Sequence, residues 1–308
     1  MQDFTRIYNI HKSYLQKLEE EEMKAMTGDS LREMLAKADK GGYAVPAFNF
    51  TDIWDFLAIC EAAQEENAPV MVASHTLVVN AIGVELTAAW GKAMMEKQQT
   101  PLILHLDHSS DIALCKAAID NGYPSVMIDA SACSLEDNIR ITKEVTDYAK
   151  PFGTHVEAEI GKIKGRGYEG GHNGDDFLVQ VADAKALVEA TGVDSLAVGV
   201  GTAHGFYEGK PEINFQRLKE VNEAVSVPLV LHGGTGIPME DIRKAIELGI
   251  NKVNVGTLIH TTYMNSLRAE LNRVGDNPFT IEVMNAVRPK IKEAARGWIR
   301  ACNANGKA

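Results

Sequence analysis

The chain has 308 residues, 45% of them hydrophobic and 24% charged, and a formal net charge of -11. This composition supplies a substantial soluble core and argues against disorder, while the acidic balance argues against nucleic acid and anionic membrane surfaces, whose binders cluster Lys and Arg. Cys60, Cys115, Cys133 and Cys302 form no CxxC pair, so neither a disulfide framework nor a cysteine zinc site is predicted.

The N-terminus lacks the basic, apolar, small-residue order of a signal peptide, and no apolar run approaches the roughly 20 residues of a membrane span. A cytoplasmic protein is expected. Residues 4–26 are predicted to form an amphipathic helix, with Phe4, Ile7, Leu15, Leu18 and Met23 set against the acidic run Glu19 to Glu22. Residues 1–29 are therefore read as a helical extension that packs on the body or on another subunit. Ser30-Leu31-Arg32-Glu33 has capping-box spacing for the next helix, and Gly41-Gly42 can end it.

Eight short runs rich in Val, Ile and Leu follow: AVPAFNF (44–50), PVMVAS (69–74), PLILHLDH (101–108), SVMIDA (125–130), HVEAEIG (155–161), SLAVGVG (195–201), PLVLHGG (228–234) and KVNVGT (252–257). Helix-period segments stand between most of them, at 54–66, 135–148, 182–191, 215–225 and 239–248. Strands alternating with helices imply βαβ units, and near-continuous apolar runs imply parallel strands covered on both faces. The fold expected is α/β, a (β/α)8 TIM barrel over residues 30–308 following the N-terminal helical extension; a doubly wound sheet is the rival that periodicity leaves open. Segments 75–100 and 162–181 are longer connections, and the second, rich in Gly and charge, is read as a mobile loop over the barrel mouth.

Every strand from the third onward turns polar at its C-terminal end: Asp107-His108, Asp129 and Ser131, Glu157 and Glu159, Thr202 to Gly205, His232 to Gly236, and Asn254 with Thr257. In barrel enzymes these ends converge on the active site. His108, His204 and His232 can make a three-nitrogen metal site with a position left for substrate, a set that zinc takes at about 2.0–2.1 Å. His11, His75, His155, His172 and His260 lack that context and are read as structural or exposed, and His105 as barrel interior. The turn Gly233-Gly234-Thr235-Gly236 runs into Pro238 at the predicted first turn of a helix, so its freed N–H groups can hold an anion. With Asn254, Val255, Gly256 and Thr257 after strand eight, it occupies the usual position of a barrel phosphate site. A phosphorylated small molecule is the substrate class expected.

These residues, with YAVPAFN, LHLDH, VEAEIG, GTAHGFYEGKPEINF, LVLHGGTG, KVNVGT and the closing NGKA, resemble the metal-dependent class II ketose-bisphosphate aldolases over about residues 30–308. The family includes fructose-1,6-bisphosphate and tagatose-1,6-bisphosphate aldolases. The resemblance implies metal ligation by His108, His204 and His232, acid/base catalysis by Asp107, and a second buried cation site at Asp129 and Glu159. It also implies dihydroxyacetone-phosphate contacts from Gly205, Gly233, Gly234, Thr235, Asn254 and Thr257, with Asn49 and Ser74 near the pocket. The cofactor implied is Zn²⁺ or another divalent metal, with a monovalent cation nearby, in a homodimer or homotetramer acting in carbohydrate metabolism such as glycolysis.

The residue types suit that chemistry. Cleaving a carbon–carbon bond beside a ketone leaves an enediolate, which a divalent metal stabilises as a Lewis acid. Asp107 would exchange the C4 hydroxyl proton; its alternative role is to orient His108. The sequence departs from the family at Ser109, at Ala130-Ser131-Ala132-Cys133, at Gly256 and at Leu258. The loop glutamate position holds Gly167, so Glu169 is the candidate proton shuttle, with Asp175 and Asp176 as alternatives. A distal phosphate could meet Arg268, Arg273, Arg288 or a neighbouring subunit.

Three rivals stand beside this reading. A Schiff-base aldolase needs a lysine at the mouth, where Lys162 and Lys164 follow strand five while Lys252 begins its strand at the wrong end. A metal-dependent hydrolase on the same barrel would activate water. A sugar-phosphate-binding homologue would keep the sites without turnover.

Overall fold

The computed structural model describes residues 26–163, 165, 178–205, 207, 209 and 211–308. Eight parallel strands close into a barrel in sequence order: β1 (Val45–Phe50), β2 (Val70–His75), β3 (Leu102–Ser109), β4 (Ser125–Ile128), β5 (His155–Ile160), β6 (Ser195–Val198), β7 (Leu229–Leu231) and β8 (Ile250–Val255). The pairing of β1 with β8 closes it and rules out the doubly wound sheet. Apart from His75 at the end of β2, every strand residue is buried, because helices cover the outer face and side chains fill the inner one.

The helices are α1 (Gly28–Gly41), α2 (Ile53–Glu65), α3 (Thr76–Ile82), α4 (Val84–Lys97), α5 (Ile112–Asp120), α6 (Leu135–Ala149), α7 (Val181–Thr191), α8 (Phe215–Ala224), α9 (Met239–Glu247), α10 (Thr257–Val274) and α11 (Thr280–Ala301). The 75–100 connection is thus helical: α3 and α4 are separated at Gly83. The cap of α1 also differs from expectation. Thr27, not Ser30, is its N-cap, with Ser30 at the third helical position completing the reciprocal pair, while Gly42 ends the helix in the left-handed conformation as its lack of a Cβ allows.

Helix α1 crosses the N-terminal face of the barrel and buries Leu31, Leu35 and Ala38. Arg32 fastens it there, donating to both carboxylate oxygens of Asp194 at 2.7 and 3.0 Å and to the carbonyls of Gly153 and Thr154. At the other end of the chain, Arg296 and Arg300 of α11 grip Glu66, and the Gly306 N–H donates to the Glu66 carbonyl, so the last helix is clasped to α2.

The lower interior of the barrel is polar. Lys252 of β8, almost fully buried, donates to both oxygens of Glu157 at 3.0 and 2.8 Å. His105 Nδ1 lies 2.8 Å from Ser125 Oγ, which His155 also approaches. Burial drives His105 down to about 3 and His155 to about 4, so both are neutral. Burial alone would raise Glu157, but Lys252 and then His232 more than offset it and keep it ionised. Met127, Ala197 and Val230 form a separate small apolar cluster on the same interior face.

Candidate active site

Strand alternation would send Asp107 and His108 to opposite faces. It fails here because the β3–β4 register shifts between Leu106 and Ser109, and His108 takes a left-handed backbone, φ 49°. That conformation is uncommon away from glycine and gathers at functional positions. Its consequence is that both side chains line one cavity at the C-terminal mouth, of about 280 Å³, with Asn49, Thr51, His75, His204, Gly205, His232, Asn254 and His260. This approaches the smaller ligand cavities of roughly 300 Å³.

Three imidazoles converge there. His108 Nε2 and His232 Nδ1 are 2.7 Å apart, and nitrogens of His108, His204 and His232 all lie within 4.8 Å of one another. Each of two rings is held from behind by a carboxylate: His108 Nδ1 lies 3.2 Å from Asp129, and His232 Nε2 2.9 Å from Glu157. Such partners fix ring orientation and turn the opposite nitrogen toward a shared centre. His204 Nδ1 is buried without a partner. Two oriented nitrogens and an orphaned third are a donor set that fits a divalent metal such as zinc.

The electrostatics agree. Burial opposes charge on His108, but Asp107, Asp129 and Glu159 more than offset it and push its imidazole up to about 9. Burial and the charge on His108 hold His204 well below, and His232 below, the ordinary histidine value. Three imidazoles this close do not all carry protons.

Asp107 is fixed on both oxygens. Asn49 Nδ2 donates to Oδ2 at 2.7 Å and Asn254 Nδ2 to Oδ1 at 3.0 Å. Burial would raise it, yet His108, His232 and Lys252 hold it well below the usual carboxylate range. Gly256 leaves room for this arrangement, since a Cβ there would stand 2.8 Å from Asn49 Oδ1 and push that side chain aside.

Gly233, Gly234, Thr235, Gly256 and Thr257 line the same cavity. Gly233 has φ 71°, and a Cβ on it would meet the Ala203 carbonyl at 2.3 Å. The helix that offers its first turn to the cavity is α10, through Thr257, and not α9; Pro238 caps α9 from outside its first turn, and neither it nor Ile237 lines the cavity. Tyr207 ties two loops together, accepting from the Ala203 N–H and donating to the Gly233 carbonyl, both at 2.9 Å.

Asp129 and Glu159 come together beside His108 with Ser131 Oγ between them, 2.6 Å from Asp129 and 3.0 Å from Glu159. Burial raises Asp129, but its bond to His108 outweighs this and brings it to about 2. Burial and then Asp129 drive Glu159 well above the usual range, and its Oε2 is buried without a hydrogen-bond partner. With His108 they form a second grouping able to hold a cation.

Several expectations are corrected. Ser74 faces outward, in register with Phe50 and Leu106, and bonds to the His105 carbonyl and to Tyr123 OH rather than to the cavity. Val255 packs its side chain in the apolar core. Arg273 pairs with Glu270 and Arg288 with Glu61, and neither they nor Arg268 lines the cavity. His75 and His260, read as structural or exposed, are cavity walls. Glu157, noted as a polar strand residue, carries the unforeseen role of holding His232. For the Schiff-base rival, Lys162 is exposed and off the cavity, and Lys252 is committed to Glu157. Glu169, Asp175, Asp176, Lys164, His11, His172 and the helix expected over 4–26 lie outside the described residues, apart from Met26.

Residues 29–307 match the family described as fructose-bisphosphate aldolase class-II. The chain belongs to that family. Relatives include the 6-phospho-5-dehydro-2-deoxy-D-gluconate aldolase of Halalkalibacterium halodurans, 40% identical over 86% of this chain and 95% of that protein. The fructose-bisphosphate aldolase of Staphylococcus epidermidis is 39% identical over 91% of this chain and 98% of its own. Among solved structures, the YdjI aldolase of Escherichia coli K12 superposes with a TM-score of 0.78 at 35% identity, covering 90% of this chain and 98% of that one. The protein is an aldolase-type lyase of a family that is generally metal-dependent. Among the described residues no helix is long and apolar enough to cross a membrane.

Proposed function

We propose that the protein reversibly cleaves a phosphorylated ketose to dihydroxyacetone phosphate and an aldehyde, with Zn²⁺ or another divalent metal held by His108, His204 and His232. The observation that carries this is the position of Asp107: a buried carboxylate held by two amides, on the wall of one cavity with the imidazole cluster and the glycine turn. When bound, the metal supplies Lewis-acid stabilisation of the charge that develops on oxygen as the carbon–carbon bond breaks.

The chain's own residues do the rest. Asp107, kept ionised, takes the C4 hydroxyl proton in cleavage and returns it in condensation. Asn49 and Asn254 aim it. Gly205, Gly233, Gly234, Thr235, Gly256 and Thr257, with the Val255 backbone and the N-terminus of α10, receive the phosphate of the dihydroxyacetone half. Asp129 and Glu159 orient His108 and take a second, monovalent cation. Glu169 is assigned the proton exchange at the dihydroxyacetone-phosphate carbon.

The relatives bear names of different substrates at nearly equal identity, so the substrate class here is a phosphorylated ketose: fructose or tagatose 1,6-bisphosphate, or a related ketose 1-phosphate. Residues 30–308 form the catalytic barrel and 1–29 an extension to it, in a cytoplasmic homodimer or homotetramer. Product analysis by NMR tests the reading. A carbonyl pair released from one of these sugars supports it; inorganic phosphate alone would indicate a hydrolase, and binding without products a non-catalytic homologue.

A further inference from the structure

The glycine turn and the first turn of α10 belong to the β7–β8 side of the mouth. The wall at the ends of β1 and β2 is different, lined by Thr51, His75, Leu77 and Val78, with His260 reaching over from α10. His75 is both the last residue of β2 and the N-cap of α3, and its Nδ1 accepts the Leu77 N–H at 3.2 Å. An accepting ring nitrogen carries no proton, so in the neutral imidazole the proton is on Nε2. Nε2 is nevertheless buried with no hydrogen-bond partner in the protein. An N–H donor left unpaired at a cavity wall calls for an acceptor from outside the chain.

His260 belongs to the same wall. Its Nδ1 is 2.9 Å from Thr51 Oγ1, and it is lowered by burial first and by His75 second. With Nδ1 occupied as an acceptor, His75 offers this wall a hydrogen bond rather than a charge. Leu77 and Val78 add apolar surface, and no Lys or Arg lines the cavity among the described residues. A phosphate dianion placed against this wall would lose hydration without gaining a cationic side chain from the described residues, whereas a hydroxyl or a carboxylate needs less compensation.

We propose that His75, with His260 and Thr51, forms the subsite for the aldehyde half of the substrate, and that Nε2–H donates to a hydroxyl or carboxylate oxygen there in preference to a second phosphate. This rests on the aldolase reading above, and it narrows the substrate to a ketose phosphate carrying one phosphate.

Ligands without a ketone cannot be cleaved and isolate binding. Hexitol 1-phosphate, 6-phosphogluconate and hexitol 1,6-bisphosphate present a distal hydroxyl, carboxylate and phosphate; dihydroxyacetone phosphate presents no distal half. Their affinities are measured by competition against a turned-over ketose phosphate, or by calorimetry, on the metal-loaded protein and on His75→Ala and His75→Asn. One of the first two is expected to bind about tenfold tighter than the bisphosphate, and His75→Ala to weaken it about tenfold more than it weakens dihydroxyacetone phosphate. His75→Asn, which keeps an N–H donor, should recover part of the loss. The tighter of the two ligands identifies the acceptor as hydroxyl or carboxylate. Tightest binding by the bisphosphate, an equal loss for all ligands in His75→Ala, or no binding of any of the three overturns the proposal. The aldolase reading fails separately, if the wild-type protein releases no carbonyl pair from any ketose phosphate.

Discussion

His232 Nδ1 faces His108 Nε2 across 2.7 Å, and each ring is held from behind by a carboxylate, Glu157 and Asp129 respectively. His204, with Nδ1 buried and unpartnered, completes the group. Removing it should therefore weaken metal binding more than folding. Zn²⁺ at about 100 times its dissociation constant stabilises a folded protein by about 2.7 kcal/mol, and the corresponding rise in melting temperature should shrink sharply in His204→Ala. Metal content after gel filtration gives the parallel reading. A variant with full metal and an unchanged thermal shift would take His204 out of the site.

Asp107→Asn should abolish most turnover while the metal stays bound. Both Asp107 oxygens accept from amide groups, so an amide at this position sets one donor against another and also removes the proton acceptor. Loss of a general base costs about 10²–10⁴ in rate. Steady-state kcat beside metal content checks this, and near-normal kcat would assign Asp107 to orientation alone.

The pairing of these two adjacent residues on one cavity shows where sequence reasoning stops. The eight strand runs, the polar strand ends and the three histidines follow from apolar periodicity and from glycine and acid at the strand ends. Alternation, however, places Asp107 and His108 on opposite faces, and the register shift with the left-handed His108 that reverses this is a tertiary effect. Ser74 erred in the opposite way: it stands at a strand end but on the outward face, where Tyr123 takes it. His75 and His260 have no glycine-rich context, and only barrel closure brings the end of β2 and the start of α10 to the same wall. Lys252 and Glu157 are visible as charges in apolar strands, but their pairing also depends on closure.

Lys252→Met should destabilise the barrel. It leaves the Glu157 carboxylate buried without its ammonium, and breaking a buried ion pair from one side costs about 3–5 kcal/mol. Urea unfolding monitored by circular dichroism checks the loss. Stability within about 0.5 kcal/mol of wild type, the usual range for harmless surface changes, would contradict the role given to the pair.

The clasp between Arg32 and Asp194 has a pH signature. Burial would raise Asp194, but the Arg32 hydrogen bonds, helped by the Val156 N–H, outweigh it and lower the group. A carboxyl lowered by folding contributes stability that is present above its unfolded value, about 3.9, and is lost as pH falls through the folded value. The wild-type protein should accordingly lose stability below about pH 4 more steeply than Arg32→Ala, in which Asp194 keeps the Val156 N–H but loses its largest lowering partner. Melting temperatures from pH 7 to 3 test this, and parallel curves would contradict it.

Thiol labelling should single out Cys133, the exposed cysteine. Burial pushes Cys60, Cys115 and Cys302 up to about 12, which suppresses the reactive thiolate. Mass spectrometry after brief treatment of the native protein with iodoacetamide should find one modified position. Equal labelling of Cys302 would indicate that α11 opens from the barrel.

In the proposed function the three-histidine centre and Asp107 together make a metal-dependent aldolase. Its most direct test is the release of dihydroxyacetone phosphate from fructose and tagatose bisphosphates and from a ketose 1-phosphate, on the protein as isolated, after EDTA, and after Zn²⁺ is restored. Release from at least one sugar is expected, lost with EDTA and regained with Zn²⁺. Release that persists in protein shown to be free of metal would contradict it.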